Sequence, residues 1–335
     1  MAYVTFIHGM ANKPPYEPLK ASWCNALSTS DPARGSAAPV GNPGLDLSLT
    51  GIGFDMTYWA DVLYAVPEAV KEGVEEMFAA LESVIEGRPL GKGKRGAAPK
   101  WRGQLKSKAE KDFVAAVEKE VKGRLDGYLA VNSKTKRRTK LTKEAQRNEL
   151  RLPEFIQKPI LEEFLRDVHH YFYSVDYQAK KPDGPKVNVR TELRKRFIEA
   201  LKVGAAAPGP HIVVSHSMGT IIAYDCLRNV EDCPEIDTLI TLGSPLGLDS
   251  VQENLKPKDV KKVDYPAKVK RAWINVYDKF DPVVGFDPKF ANDYKRDGKV
   301  AVKDINEQNW GKWRHNIVKY LSGPLLRAQM REALK

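Results

Sequence analysis

The sequence predicts an α/β protein with a mostly parallel central sheet flanked by helices and interrupted by a helical insertion. Strand-like runs alternate with helical patterns along most of the 335 residues, as in proteins with parallel sheets. Several of these runs are apolar throughout, which is typical of strands covered on both faces. A long basic stretch breaks the alternation. Apolar residues make up 42% of the chain, enough for a substantial core.

Six runs of β-branched and aromatic residues predict the strands of the sheet. They are Tyr3–Ile7, Phe54–Tyr58, Ile212–Ser215, Thr238–Leu242, Ala272–Tyr277 and Val300–Lys303. Helical periodicity predicts helices over 17–27, 190–203, 218–229 and 316–334. Residues 28–51 are rich in small residues, and we expect them to form a loop over the carboxyl edge of the sheet, beside a pocket.

Residues 62–175 depart from this alternation and predict a mostly helical insertion, so that 1–61 and 176–335 form the core. Residues 87–104 within it are rich in glycine, proline and basic residues, which predicts a mobile loop. Three apolar stripes at helical spacing predict its helices. They are Val70, Val74, Met77, Leu81 and Val84; Phe113, Val117, Val121, Leu125 and Tyr128; and Ile156, Ile160, Phe164, Leu165 and Val168.

The positive charge of the chain is concentrated in one segment. The net charge is +11, but residues 88–151 hold 20 lysines and arginines against seven acidic residues, a local charge of +13 that leaves −2 for the rest. The run Lys134–Lys140 is either a solvated face or a surface for an anionic partner. If the partner is anionic, we expect phospholipid headgroups before nucleic acid, because no nucleic-acid-binding motif accompanies the charge.

Three features favour a cytoplasmic protein. The three cysteines, Cys24, Cys226 and Cys233, are too few and too irregular for a disulfide framework or a zinc site. The first residues lack the basic and long apolar regions of a signal peptide. No run of about 18 apolar residues predicts a membrane span. Peripheral association with a membrane through the basic segment stays open.

The segment 211–226, HIVVSHSMGTIIAYDC, predicts a strand, a tight turn and a helix in immediate succession. Such a corner lifts the side chain of its central residue, Ser217, clear of the sheet. The residues two before and two after must be small because the strand and helix backbones nearly touch, and these are Ser215 and Gly219. His216 lies between the serines, where it is poorly placed to act as a base.

This corner resembles the nucleophile elbow of serine α/β-hydrolases of the lipase and esterase type. The resemblance extends to four separated places that span nearly the whole chain, but not to the insertion. It implies that the first strand of this chain corresponds to the family's third and that the two leading antiparallel strands are absent. Ser215 departs from the pattern, since the family has glycine there.

The resemblance implies that Ser217 is activated by a histidine, which an acid orients, in the chain order Ser, acid, His. His315 is the only histidine after residue 216, and it directly precedes a predicted helix. Asp281, in an Asp-Pro-Val turn after a strand, matches the family's acid position. Asp278 is a nearby competitor, and Asp249 is another because some lipase-like members move the acid to the preceding strand.

The resemblance also implies an oxyanion hole made of two backbone N–H groups. Met218 supplies one, at the positive end of the helix that follows Ser217. The His-Gly-Met segment after the first strand resembles a lipase motif, in which Met10 donates the second N–H, His8 braces the loop and Gly9 lets the backbone turn.

Together these residues predict hydrolysis of carboxylic esters through an acyl-enzyme on Ser217, without a cofactor or a metal. The insertion is expected to act as a cap, and its apolar stripes suggest an acyl-chain or lipid substrate. One alternative is a phospholipase, deacylase or acyltransferase at an anionic membrane surface. Another is a non-catalytic interaction protein with this fold. His169 and His170 have no carboxylate or cysteine cluster at ligand spacing and are predicted to pack within the insertion or to line its rim.

Overall fold

A central parallel sheet organises the molecule. A computed structural model describes residues 1–29, 42–49, 51–67, 100–136, 154–178, 185–279, 281, 283, 290–309 and 314–335. Within two of the helices, the side chains of residues 124–136 and 154–160 are not described.

The described residues contain eight strands. They are β1 (Tyr3–Ile7), β2 (Gly53–Thr57), β3 (His211–His216), β4 (Ile236–Leu242), β5 (Val269–Tyr277), β6 (Lys295–Arg296), β7 (Lys299–Val300) and β8 (Val302–Asn306). Six of them form an all-parallel sheet in the order β2-β1-β3-β4-β5-β8. The strands β6 and β7 form a separate antiparallel pair. The chain is therefore an α/β protein, as predicted.

Helices cover both faces of the sheet. They are α1 (Tyr16–Ser28), α2 (Ala60–Leu63), α3 (Lys108–Lys136), α4 (Glu154–Tyr173), α5 (Val189–Ala205), α6 (Met218–Asn229), α7 (Asp249–Leu255), α8 (Phe290–Asp293), α9 (Ile317–Leu321) and α10 (Pro324–Ala333). The helices α1, α9 and α10 pack on one face, and α5 and α6 pack on the other with α4 behind them.

Alternate strand residues enter two separate apolar cores, one on each face of the sheet. Val213 and Trp273 point towards α5 and α6, whereas Val214 and Ile274 point towards α1 and α9. Burial on both faces explains why the strand sequences lack an apolar/polar alternation.

Local sequence signals set several helix ends. The helix α3 begins with a capping box: Glu110 N–H donates to Ser107 Oγ at 3.2 Å, and Ser107 N–H donates to Glu110 Oε1 at 3.1 Å. Asn188 caps α5 by accepting from Thr191 N–H. The helix predicted over 316–334 is in fact two, because Gly323-Pro324 ends α9 and starts α10.

Three predictions need correction. The last strand of the sheet runs over Val302–Asn306, because Lys299–Val300 pairs with β6 instead. The described end of the loop predicted over 87–104 is a 3₁₀ helix, Lys100–Gln104, since Trp101 is buried against α4. The loop predicted over 28–51 does not follow the carboxyl edge in its described part: Leu45 N–H donates to Leu27 O at the end of α1, on the opposite side.

The insertion is described only in part. The stripe from Val70 to Val84 and residues 87–99 lie outside the described residues, and so do 137–140 of the basic run. In α3 and α4 the described stripe residues are buried or half-buried; they are Phe113, Val117, Val121, Phe164, Leu165 and Val168. No helix in the described part of the chain has an apolar stretch long enough to cross a bilayer.

Candidate active site

Ser217 occupies the sharp corner between β3 and α6. Its backbone adopts φ 52° and ψ −126°, a left-handed conformation that is costly for a residue with a Cβ. The corner is fixed by Ser217 N–H, which donates to Leu242 O at the end of β4 at 2.9 Å. The side chain is fully buried, and its Oγ forms no hydrogen bond with any described residue, His315 included.

The corner tolerates only small residues because two backbones meet there. A Cβ on Gly219 would lie 2.6 Å from His8 O, and a Cβ on Gly9 would lie 2.7 Å from Ser217 Cβ. Ser215, where the resembling family has glycine, is accommodated because its Oγ donates to Ile240 O on β4 at 3.1 Å. The departure at residue 215 is therefore compatible with the corner.

Asp281 and His315 form a buried pair. Nδ1 of His315 donates to the Asp281 carboxylate, 2.8 Å from Oδ2 and 3.0 Å from Oδ1. Tyr320 OH donates to the same carboxylate at 2.7 Å, and Val283 N–H donates to it at 2.8 Å. Burial and the neighbouring Asp281 charge raise the pKa of Tyr320 well above its usual value, so this hydroxyl stays a donor. With Nδ1 committed, His315 Nε2 is the nitrogen that can accept a proton.

His315 lies beside the Ser217 corner. The ring of His216, the residue before Ser217, has its centroid 4.7 Å from that of His315, and its Nε2 donates to His315 O at 2.9 Å. Gly243, directly after the Leu242 carbonyl that binds Ser217, faces the pair from the other side. A Cβ there would lie 3.1 Å from both Asp281 Oδ2 and His315 Nδ1, and Gly243 adopts φ 54°. The ends of β3 and β5 and the segment after β8 thus bring the serine, the carboxylate and the imidazole together, and Gly243 at the end of β4 leaves room for the pair.

The carboxylates of the two competing acids make other contacts. Asp278 is buried but accepts from Asn309 N–H at 2.7 Å and faces Arg314 Nη1 at 3.3 Å, so it orders the segment that leads to His315. Asp249 is exposed as the first residue of α7. Of the three candidate acids, Asp281 is the one in contact with the His315 ring.

The loop after β1 lies against the serine corner because β1 and β3 pair in parallel, with Ile7 opposite Ser215. His8 braces it: Nδ1 donates to Gly9 O at 2.9 Å, and Nε2 accepts from Trp59 N–H at 3.0 Å. Burial lowers the pKa of His8 to about 3, so its imidazole is neutral. Met10 is buried, and its N–H and that of Met218 donate to no described residue.

Several residues at the site were not predicted. They depend on contacts between distant parts of the chain, which a local sequence pattern does not indicate. They are Tyr320, Gly243 and the hydrogen bond from His216 to His315 O. The Leu-Gly-Ser-Pro turn at 242–245 carried a usable signal: a glycine at a strand end often marks a close approach or a left-handed turn.

His169 and His170 take part in packing. His169 Nε2 lies 2.9 Å from Glu110 Oε2, which links α4 to α3, and His170 Nδ1 lies 2.8 Å from Ser174 Oγ. In the described part of the chain, no group of three or more histidine, cysteine or acidic side chains is placed to hold a metal ion.

Comparison of the chain with protein-family models, with curated proteins and with solved structures found no match in any of the three. The geometry at the strand ends is therefore the basis for assigning a function.

Proposed function

We propose that the chain is a serine hydrolase of carboxylic esters with an α/β-hydrolase fold. One observation carries the proposal: a buried Asp281–His315 hydrogen bond lies beside Ser217, whose backbone adopts the positive φ expected of a nucleophile at a strand–helix corner. A serine hydroxyl is a weak nucleophile without a base, and a histidine oriented by a carboxylate supplies that base. The order Ser217, Asp281, His315 along the chain is that of the α/β-hydrolase family.

The mechanism follows from the placement of these groups. Ser217 Oγ attacks the ester carbonyl while His315 Nε2 takes its proton, and Asp281 holds the imidazole through Nδ1 and stabilises its charged form. The protonated His315 then donates to the departing alcohol, which leaves an acyl group on Ser217. Water, deprotonated by His315, attacks this ester and releases the acid.

The negative charge that develops on the carbonyl oxygen needs donors aimed at it. Met218 N–H lies at the first turn of the twelve-residue helix α6, where the backbone N–H groups have no partner within the helix. Met10 N–H is the second donor, on the loop that Gly9 brings against Ser217. Loss of one such donor typically costs about 2.7–4 kcal/mol of transition-state stabilisation.

A fluorophosphonate probe, with an activated-ester assay beside it, tests the proposal. The probe should label the wild-type protein at Ser217, and Ser217→Ala should lose both labelling and at least about 10³-fold of its ester turnover while keeping its thermal unfolding midpoint. Absence of labelling in folded wild type, with a known serine hydrolase labelled in parallel, contradicts the proposal. Equal turnover of wild type and Ser217→Ala would favour a non-catalytic binding protein instead.

A second candidate is a phospholipase, deacylase or acyltransferase that works at an anionic membrane. The charge of +13 over residues 88–151 favours it, because juxtaposed lysines and arginines bind anionic headgroups. The same assay with neutral and with anionic vesicles separates the candidates. Turnover that rises on anionic vesicles and loses this rise at high salt favours the membrane enzyme, and turnover indifferent to vesicles favours a simple esterase.

A further inference from the structure

The loop that carries Met10 is tied to helix α4, in the insertion, by one buried carboxylate. Ala11 N–H donates to Asp167 Oδ2 at 2.7 Å, a contact between residues 156 positions apart. Asp167 is fully buried on α4. A buried carboxylate that accepts from a backbone N–H forms a strong, charge-assisted bond.

The Asp167 carboxylate accepts hydrogen bonds from two further side chains. Tyr64 OH donates to it, 2.8 Å from Oδ1 and 2.9 Å from Oδ2, and Arg166 Nε lies 3.2 Å from Oδ1. Burial and the nearby Asp167 charge raise the pKa of Tyr64, so the phenol remains a donor. Arg166 balances the negative charge. Asp167 is therefore held in place from three sides, and it can transmit that rigidity to the loop.

The peptide group between Met10 and Ala11 is held at both polar ends. Its N–H donates to Asp167, and its carbonyl accepts from the ammonium of Lys13. A peptide group is planar, so two bonds in opposite directions fix its orientation. Ala11 is also left-handed, with φ 67°, a conformation that a residue with a Cβ keeps only when its surroundings impose it.

We propose that Asp167 is a positioning residue. It fixes the Met10–Ala11 peptide on one side of Met10, as the bond from His8 Nδ1 to Gly9 O fixes the Gly9–Met10 peptide on the other, and the two together aim the Met10 N–H at the oxyanion of the substrate on Ser217. The inference rests on the proposed function. It makes helix α4 a part of the catalytic apparatus, because the insertion then sets the position of a group on the sheet edge. Asp167 itself touches neither the substrate nor Ser217, His315 or Asp281.

Two variants and one matched control test this. Asp167→Ala removes the acceptor, and Asp167→Asn keeps the shape but offers one acceptor oxygen where both carboxylate oxygens accept. Glu163→Gln is the control, because Glu163 shares Tyr64 and Arg166 with Asp167 but forms no bond with Ala11. Should Asp167→Ala not fold, the isosteric Asp167→Asn carries the test.

We expect kcat on an activated ester to fall about 10- to 100-fold in both Asp167 variants, with KM within about threefold of wild type, because the lost contact acts in the transition state. Glu163→Gln should stay within about threefold in both constants. Hydrogen–deuterium exchange of the peptide covering residues 8–13 should accelerate in the Asp167 variants alone.

The two proposals fail in different ways. An active wild type together with folded Asp167 variants of equal kcat, or with wild-type exchange at residues 8–13, overturns the role of Asp167 and leaves the hydrolase intact. A fall in kcat of the same size in Glu163→Gln also overturns it, since the ionic cluster rather than the loop bond would then matter. A wild type that neither turns over esters nor reacts with the probe overturns both.

Discussion

The histidines of the candidate site at the sheet edge and the Arg102 cluster of the insertion satisfy their polar groups in opposite ways. At the sheet edge, buried imidazoles are kept neutral: burial lowers the pKa of His8 to about 3 and that of His216 well below its usual value. In the insertion, Arg102 on the 3₁₀ helix keeps its charge and is paired. It binds Glu118 on α3 and Glu162 on α4 at 2.9 and 2.8 Å.

The difference follows from the solvent around each region. His8 and His216 are buried, so an unbalanced charge on either imidazole is expensive and neutral hydrogen bonds replace it. The side chain of Arg102 remains 29% exposed, and water shares the cost of its charge. The comparison teaches that the histidines of the site are held by neutral, short-range contacts, whereas the Arg102 cluster is held by ion pairs that salt can weaken.

The largest expected effect concerns Asp281, whose carboxylate holds the imidazole of His315 at the sheet edge. Asp281→Asn should lower kcat by about 10⁴-fold, because an amide cannot stabilise the imidazolium or fix its tautomer. The matched variant Asp249→Asn changes an exposed aspartate on α7 and should stay within about twofold. Steady-state ester hydrolysis measures both. Loss of turnover in Asp249→Asn alone, with both variants folded, would mean that the acid is assigned to the wrong strand.

A smaller effect concerns the neutral histidines. Because the folded-state pKa of His8 lies below its unfolded value of about 6.5, the unfolded chain binds the proton more tightly, so stability is full above pH 6.5 and falls as the pH drops towards 3. From pH 7 to pH 5, His8 alone should cost about 2 kcal/mol of unfolding free energy. Urea unfolding at the two pH values measures this.

The control for the pH experiment is His8→Asn, which removes that titration and should show a shallower loss between pH 7 and pH 5. A wild-type stability that is flat across this range would show that the sheet-edge histidines are not held neutral. It would then remove the contrast between the two regions.

The smallest effect concerns the ion pairs of the insertion. Arg102→Ala should lower the unfolding free energy by about 1 kcal/mol at low salt and by less in 1 M salt, because the pairs with Glu118 and Glu162 are partly exposed and screened. Ester turnover should not change. A loss of several kcal/mol that salt does not reduce would contradict the view that this region is held by screened pairs.

Sequence patterns predicted the parts of the molecule that depend on short-range order. The runs of β-branched residues located the strands to within a few residues, because burial on both faces leaves a continuous apolar signature. The serine corner and the His-Gly-Met loop were visible because a strand followed by a tight turn constrains adjacent residues. The roles assigned to Ser217, Asp281 and His315 remain predictions that the experiments test.

Contacts between distant residues could not be predicted in the same way. The bond between Ala11 and Asp167 joins a loop to a helix 156 residues later, and nothing in either local sequence indicates the other. The Gly323-Pro324 pair is a local signal for the break between α9 and α10, and the prediction of one helix over 316–334 did not use it. The position of residues 42–49 was predicted wrongly because a loop of small residues has no regular apolar spacing from which its packing side could be inferred.

The residues after β5 bind residues 309–320, and this has a consequence for biosynthesis. Asp278 and Asp281 together bind the backbone or side chains of Asn309, Arg314, His315 and Tyr320. On the proposed mechanism, a nascent chain that has emerged only as far as residue 300 already contains Ser217 but lacks His315, the base proposed to activate it. We therefore expect activity only after residue 315 has folded back onto the end of β5, and a product truncated before that residue should be inactive.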